Sequence, residues 1–142
     1  GTDIMADGKK VYDRTCIACH QANALGTPGS FPPLAGSDWV NEKEAGRMIR
    51  LVLRGFGRPG LVVKGQPFST VSVMTAFGNS PPPAGLSDDD IAAVVSYVRG
   101  NTEWGNHASP VTAEQVKAIR GKTESHKQNY TPAEILTVNP KD

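Results

Sequence analysis

The sequence predicts an all-α fold with one short β-hairpin. Apolar residues recur at helical spacing in three stretches, near residues 3–16, 41–54 and 86–100. Only two short runs, 61–63 and 68–73, are β-like, and turn-forming residues separate them. Fifteen Gly and eleven Pro in 142 residues assign much of the remainder to loops. This length fits one domain with a modest core. A small core set among loops is the economy expected when a large apolar group fills the middle.

Along the first stretch, Val11 and Tyr12 supply an apolar stripe. Gly8 sits mid-pattern, where Gly weakens a helix by ~1 kcal/mol relative to Ala, so another backbone is expected to pack against it. Residues 16–20 read Cys-Ile-Ala-Cys-His, and these are the only two cysteines. A Gly-, Pro-, Ser- and Asn-rich loop follows over 21–37 and contains Phe-Pro-Pro-Leu-Ala-Gly at 31–36. The second helix carries Ala45, Met48, Ile49 and Val52 on one face, and Gly55 is placed to stop it. Lys64, Gly65, Gln66 and Pro67 are the expected hairpin turn. Residues 73–85, with three prolines, form a loop. The third helix is the clearest: Ser87 is its N-cap, Asp88, Asp89 and Asp90 favour the positive end of its dipole, and Ile91, Val94, Val95 and Val98 form its stripe. Past Trp104 the chain turns polar, with a capping box predicted at Thr112 and Gln115 and a second start at Thr131 with Pro132 in the first turn. The expected organisation is a helical domain over 1–104 and an extension over 105–142 that wraps its surface or docks a partner.

The Cys16–Cys19–His20 cluster admits four chemistries. Structural zinc needs four ligands, and the other histidines, His107 and His126, lie in the tail without paired ligand spacing. A disulfide three residues apart closes too small a loop to stabilise much. A redox dithiol belongs at a helix N-terminus after a strand, whereas this motif ends a helical stretch. The fourth reading is covalent haem: two thiols three apart add to vinyl groups on one porphyrin edge, and the adjacent histidine ligates the iron. Iron held by one histidine needs a second ligand or an open face. Met5 lies near the start of the chain, and Met48 sits on an apolar helix face where core packing is expected. Met74, in an irregular loop before the last helix, is the expected axial ligand, with a loop methionine packed on the core as the alternative.

With these residues assembled, residues 3–101 resemble a class I c-type cytochrome. Gly8 and Tyr12 stand eight and four residues before Cys16, and Tyr97 lies on the last helix; in that family such residues let the first and last helices cross closely. Pro32 stands twelve residues after His20, followed by Leu34 and Gly36. The resemblance implies that the Pro32 carbonyl accepts from the free ring nitrogen of His20, that Leu34 packs on the haem, and that Met74 is the sixth ligand. Thr75 follows the methionine where the family often has proline. The runs at 31–40 and 97–112 are similar to a narrower group, bacterial cytochromes serving quinoprotein dehydrogenases, copper enzymes or terminal oxidases as subunits or fused domains.

The resemblance implies one haem c per chain, held by Cys16 and Cys19, with His20 and Met74 on the iron. It implies one-electron transfer between a redox-protein donor and acceptor, without catalysis. Trp39 is a candidate indole donor to a haem propionate, or a plain core residue. Phe31 and Phe77 are expected to line the crevice or the core. Arg50 and Arg54 are expected on a solvated face, with propionate pairing as the alternative. A formal charge of +1 excludes a basic field for nucleic acid, and two ionised propionates take it towards about −1, so strong steering is not expected. No apolar run approaches the ~20 residues that span a bilayer. Thioether attachment places maturation outside the cytoplasm, so a periplasmic or exported location is expected, and the Gly1-Thr2-Asp3 start fits a processed chain or a trimmed one. The other readings are a subunit or excised domain of a larger dehydrogenase or oxidase, a haem sensor or peroxidase with an open sixth site, and a dithiol oxidoreductase.

Overall fold

The computed structural model describes residues 3–57, 60–68 and 73–142. The first helix, α1 (Ile4–Thr15), is capped by the Asp3 carboxylate, which accepts from the Met5 and Ala6 amides. It buries Gly8, Val11 and Tyr12. A single turn, α2 (Ile17–His20), carries the cysteine–histidine motif. Then come α3 (Gly46–Arg54), the two-residue strands β1 (Val62–Val63) and β2 (Gln66–Pro67), α4 (Asp88–Arg99), a 3-10 turn (Thr102–Trp104), α5 (Ala113–Lys122) and α6 (Pro132–Ile135). Helices dominate, and the antiparallel hairpin pairs Val62 with Pro67 and Val63 with Gln66.

The scaffold is the α1–α4 crossing. A side chain at Gly8 would strike the Ala93 carbonyl and the Tyr97 Cβ, so the two helices approach to backbone contact. Three rings seal one flank: Tyr12 lies 5.8 Å from Tyr97 and 5.1 Å from Trp104, and Tyr97 and Trp104 are 5.4 Å apart. Such tilted and edge-on pairs add to the hydrophobic gain from area alone. Ser87 and Asp90 close the capping box that starts α4. Asp88 has a separate task, an ion pair with Arg120 at 2.7 Å.

Two elements depart from their expected limits. Helix α3 begins at Gly46 and not near residue 41. The carbonyls of Val40, Glu42 and Lys43, which a longer helix would use internally, accept instead from the Arg99 guanidinium. Arg99 is about 1% exposed and also donates to the Ser109 carbonyl. The hairpin turn is Lys64-Gly65 alone, both at positive φ (52° and 76°), as a two-residue turn of the type that matches strand twist requires. Gln66 and Pro67 thereby belong to β2. The expected strand over 68–73 falls mostly outside the described residues; Phe68 still donates to the Leu61 carbonyl.

Residues 105–142 pack on the helices. Val111, Val116 and Ile119 enter the main core, and Tyr130 and Ile135 form a second cluster with Leu51. Helix α5 starts on the predicted Thr112–Gln115 box, and α6 has Thr131 as cap and Pro132 in its first turn. Asn106, fully buried, accepts from Gly36 N–H and Asn41 and donates to the Leu34 and Val98 carbonyls.

Candidate haem centre

The loop after α2 folds back over the motif. His20 O accepts from Gly26 N–H, and Ala24 O accepts from both Leu34 and Ala35 N–H. Gly26 has φ +65°, and a side chain there would meet the Phe31 and Pro32 carbonyls. These bonds set Pro32 against His20. The His20 Nδ1 lies 3.0 Å from the Pro32 carbonyl oxygen. A carbonyl only accepts, so Nδ1 carries the proton and Nε2 is the nitrogen left with a lone pair. Burial lowers the His20 pKa below its ordinary value, against the opposing pull of the Pro32 bond. The ring is therefore neutral at neutral pH, the state that a metal ligand needs.

Two adjoining cavities meet at this histidine. Cys16, His20, Pro32, Phe56, Leu61, Met74 and Phe77 line both. Leu34, Trp39, Met48, Val52 and Val94 are among the others lining the inner one, and Cys19, Phe31, Val73 and Thr75 among those lining the outer. Among the described residues no Asp, Glu, Lys or Arg lines either. An apolar slot, with thiols on one edge and one neutral imidazole, fits a flat apolar macrocycle with a metal at its centre.

Met74 owes its place to backbone pairing. Its N–H donates to the Phe56 carbonyl at 2.8 Å, and Phe56 N–H donates back at 3.2 Å. Three residues on, Phe77 and Gly78 N–H donate to the Val52 and Leu53 carbonyls at the end of α3. The loop is thus stitched to α3 although Thr75 replaces the family's proline. Met48 lines the inner cavity only. Met5 is 36% exposed, and its sulfur lies beside Gly100.

The thiols do not suit a redox dithiol. Burial, and then the Cys19 charge, push the Cys16 pKa up to about 12, whereas a reactive thiol has a depressed value. The two are not in a disulfide. Among the described residues no three His, Cys, Asp or Glu side chains converge on a metal position.

Other expectations need correction. The Trp39 indole N–H donates to the Val62 carbonyl at 2.7 Å, so the single indole donor is spent on β1 and not on a propionate. The ring still lines the inner cavity and packs on Phe56 at 5.3 Å. Arg50 and Arg54 are both buried, not on a solvated face. Arg50 donates to the Gly46 carbonyl of its own helix. Arg54 donates to Thr123 Oγ1, Asn79 Oδ1 and the Arg120 carbonyl, which ties α3 to α5. Neither lines the cavities. Arg99, Asn106 and Arg120 went unmarked in the sequence, because each acts on carbonyls or amides distant in the chain.

Residues 5–102 match the cytochrome c family. The chain is 37% identical over 143 residues to cytochrome c-552 of Thermus thermophilus, covering 96% of both proteins. It is 34% identical to the gluconate 2-dehydrogenase cytochrome c subunit of Pantoea cypripedii, over 94% of this chain but 28% of that protein. It is 29% identical to the cbb3-type cytochrome c oxidase subunit CcoP of an Azospirillum species, over 84% of this chain and 36% of that one. The chain belongs to the cytochrome c family of electron carriers, which bind haem c covalently and are not themselves enzymes.

Proposed function

We propose that Cys16 and Cys19 hold the haem through thioethers and that His20 and Met74 are its axial ligands. The observation that carries this reading is the convergence of His20, with Nδ1 on the Pro32 carbonyl, and Met74 on the same pair of cavities. The bound haem supplies a one-electron couple. Everything else is the work of this chain. The Pro32 bond fixes the tautomer and makes the imidazole a stronger donor. The apolar walls, Leu34, Val52, Phe77 and Val94 among them, exclude water and favour the less charged reduced state, and a thioether ligand acts in the same direction. Two ligands retained in both states leave little to rearrange when an electron arrives.

Donor and acceptor are proposed to be redox proteins, a dehydrogenase, a copper enzyme or a terminal oxidase. Exchange takes place at the cavity edge near Cys16 and Cys19, on the exported side of a membrane. No helix among the described residues is long and apolar enough to cross one. The relatives that are dehydrogenase cytochrome subunits support a second form of the same function, a carrier built into a larger complex. The extension over 105–142 is proposed to be part of the carrier's own fold, since Val111, Val116 and Ile119 fill its core.

Absorption spectra of the oxidised and reduced protein test the assignment. A Soret band with the weak sulfur-to-iron charge-transfer band in the oxidised form is expected, together with no carbon monoxide binding to the reduced form. A Soret band lacking the sulfur band, with carbon monoxide bound, removes Met74 from the iron and favours an open-site sensor or peroxidase. No Soret band ends the haem reading.

A further inference from the structure

The segment that carries Met74 and Phe77 runs into a loop, residues 79–85, that rejoins the fold at α4. Its outgoing limb passes Gly78, and its return limb ends at Leu86, whose N–H donates to the Phe77 carbonyl. Arg120 of α5 reaches both limbs. Its Nη1 donates to the Gly78 carbonyl and its Nη2 to the Leu86 carbonyl, each at 2.9 Å, while Nε binds Asp88 at 2.7 Å. One guanidinium therefore ties the two limbs together and fixes them to the first turn of α4. The Arg120 carbonyl is itself held by Arg54, which also grips Asn79 in the loop.

The fork depends little on what anchors its own helix. Helix α5 is seated by Val116 and Ile119 in the core and by the Thr112–Gln115 box. Removing the guanidinium leaves those contacts in place. What it removes is charge-assisted donation to two carbonyls at the ends of the loop, the stronger class of hydrogen bond.

We propose that Arg120 is a positioning residue for the sixth ligand: it tethers Gly78, where the segment carrying Met74 ends, and so contributes to the free energy of lifting the Met74 sulfur off the iron. The inference rests on the assignment of Met74 as that ligand. On this proposal the Met74 segment has a closed state, with sulfur on the iron, and an open state with the position free, and the Arg120 contacts favour the closed one. An external ligand for ferric iron binds only the open state, so its apparent affinity reports the population of that state.

The test is an imidazole titration of the oxidised holoprotein, followed through the sulfur-to-iron band. Arg120→Ala is expected to keep the Soret band and the sulfur band at rest, and to bind imidazole about tenfold more tightly, the scale set by loss of charge-assisted hydrogen bonds. Arg120→Lys, which keeps the charge beside Asp88 but not the fork, is expected to fall between. Ile119→Val, which loosens α5 but keeps the guanidinium fork, is expected to lower the denaturation midpoint and leave imidazole affinity unchanged. Wild-type affinity in both Arg120 variants overturns the tether, as does an equal gain in Ile119→Val. Should Arg120→Ala not fold, Arg120→Lys decides alone. Met74→Ala separates the two claims. If it keeps the sulfur band, the ligand assignment fails; if it loses the band while the Arg120 variants titrate like the wild type, only the tether fails.

Discussion

Gly8 lies against Ala93 so closely that a Cβ on the glycine would overlap the alanine carbonyl. The contact is backbone to helix, with no flexible side chain end to move aside, and Tyr97 Cβ closes the other side. Gly8→Ala should therefore force α1 off α4 despite the higher helix propensity of alanine, at a cost of about 2–3 kcal/mol. Chemical denaturation of the holoprotein measures it. A neutral or stabilising result would mean that the helices part easily.

Arg99 should be among the most sensitive positions outside the crevice. It is buried, its pKa is lowered first by that burial, and it satisfies the carbonyls of Val40, Glu42, Lys43 and Ser109. Arg99→Leu removes an unpaired charge from consideration but leaves those carbonyls without donors. A loss of about 3–5 kcal/mol is expected, read as a lower thermal midpoint.

Met74→Ala should leave a folded, haem-bearing protein, because the Phe56 pairing is made by backbone atoms and survives truncation. The sulfur-to-iron band should vanish, the reduced protein should bind carbon monoxide, and the potential should fall, since the thioether favours the reduced state. An unchanged potential would argue against sulfur ligation.

Electron exchange should respond weakly to salt. Thr15, Cys19, Ser30, Phe31, Val73 and Thr75 line the outer cavity, and no charged side chain joins them among the described residues. Screening acts on charges, so raising ionic strength from about 10 mM to 200 mM should change the bimolecular rate with a neutral partner by less than about threefold. Stopped-flow measurement with a redox protein of low net charge checks this. A steep decline would place an unrecognised charged patch at the docking edge.

Thiol titration of the unfolded protein should find no free thiol, because Cys16 and Cys19 are the only cysteines and both are assigned to thioethers. Two titratable thiols would restore the dithiol reading that the raised Cys16 pKa disfavours.

Local chemistry was readable in the sequence, and long-range chemistry was not. The caps at Ser87, Thr112 and Thr131 act within three residues of themselves, so their motifs alone place α4, α5 and α6. The start of α3 depends on Arg99, more than fifty residues further on, and no local pattern announces it. Arg50 and Arg54 read as a solvated face because arginine usually is one; α5 and the loop at Asn79 cover Arg54. The partner of the Trp39 N–H depends on where β1 lies, which no local pattern gives. The sequence could propose roles for His20, Cys16 and Met74 because metal and thioether chemistry constrain residue type and order, while the fork of Arg120 uses backbone carbonyls that any residue supplies.

Residues 55–57 are paired along both margins. Phe56 exchanges hydrogen bonds with Met74 on one side, and on the other Gly57 donates to the Tyr130 carbonyl while Tyr130 donates to that of Gly55. An extended segment beside a redox crevice would otherwise present a row of unsatisfied amides to any passing chain, the usual template for edge-to-edge aggregation. Here the tail of the protein occupies that margin itself. A carrier that must meet and leave its partners repeatedly thus keeps an extended segment near its site of contact without offering a place where another strand can stick.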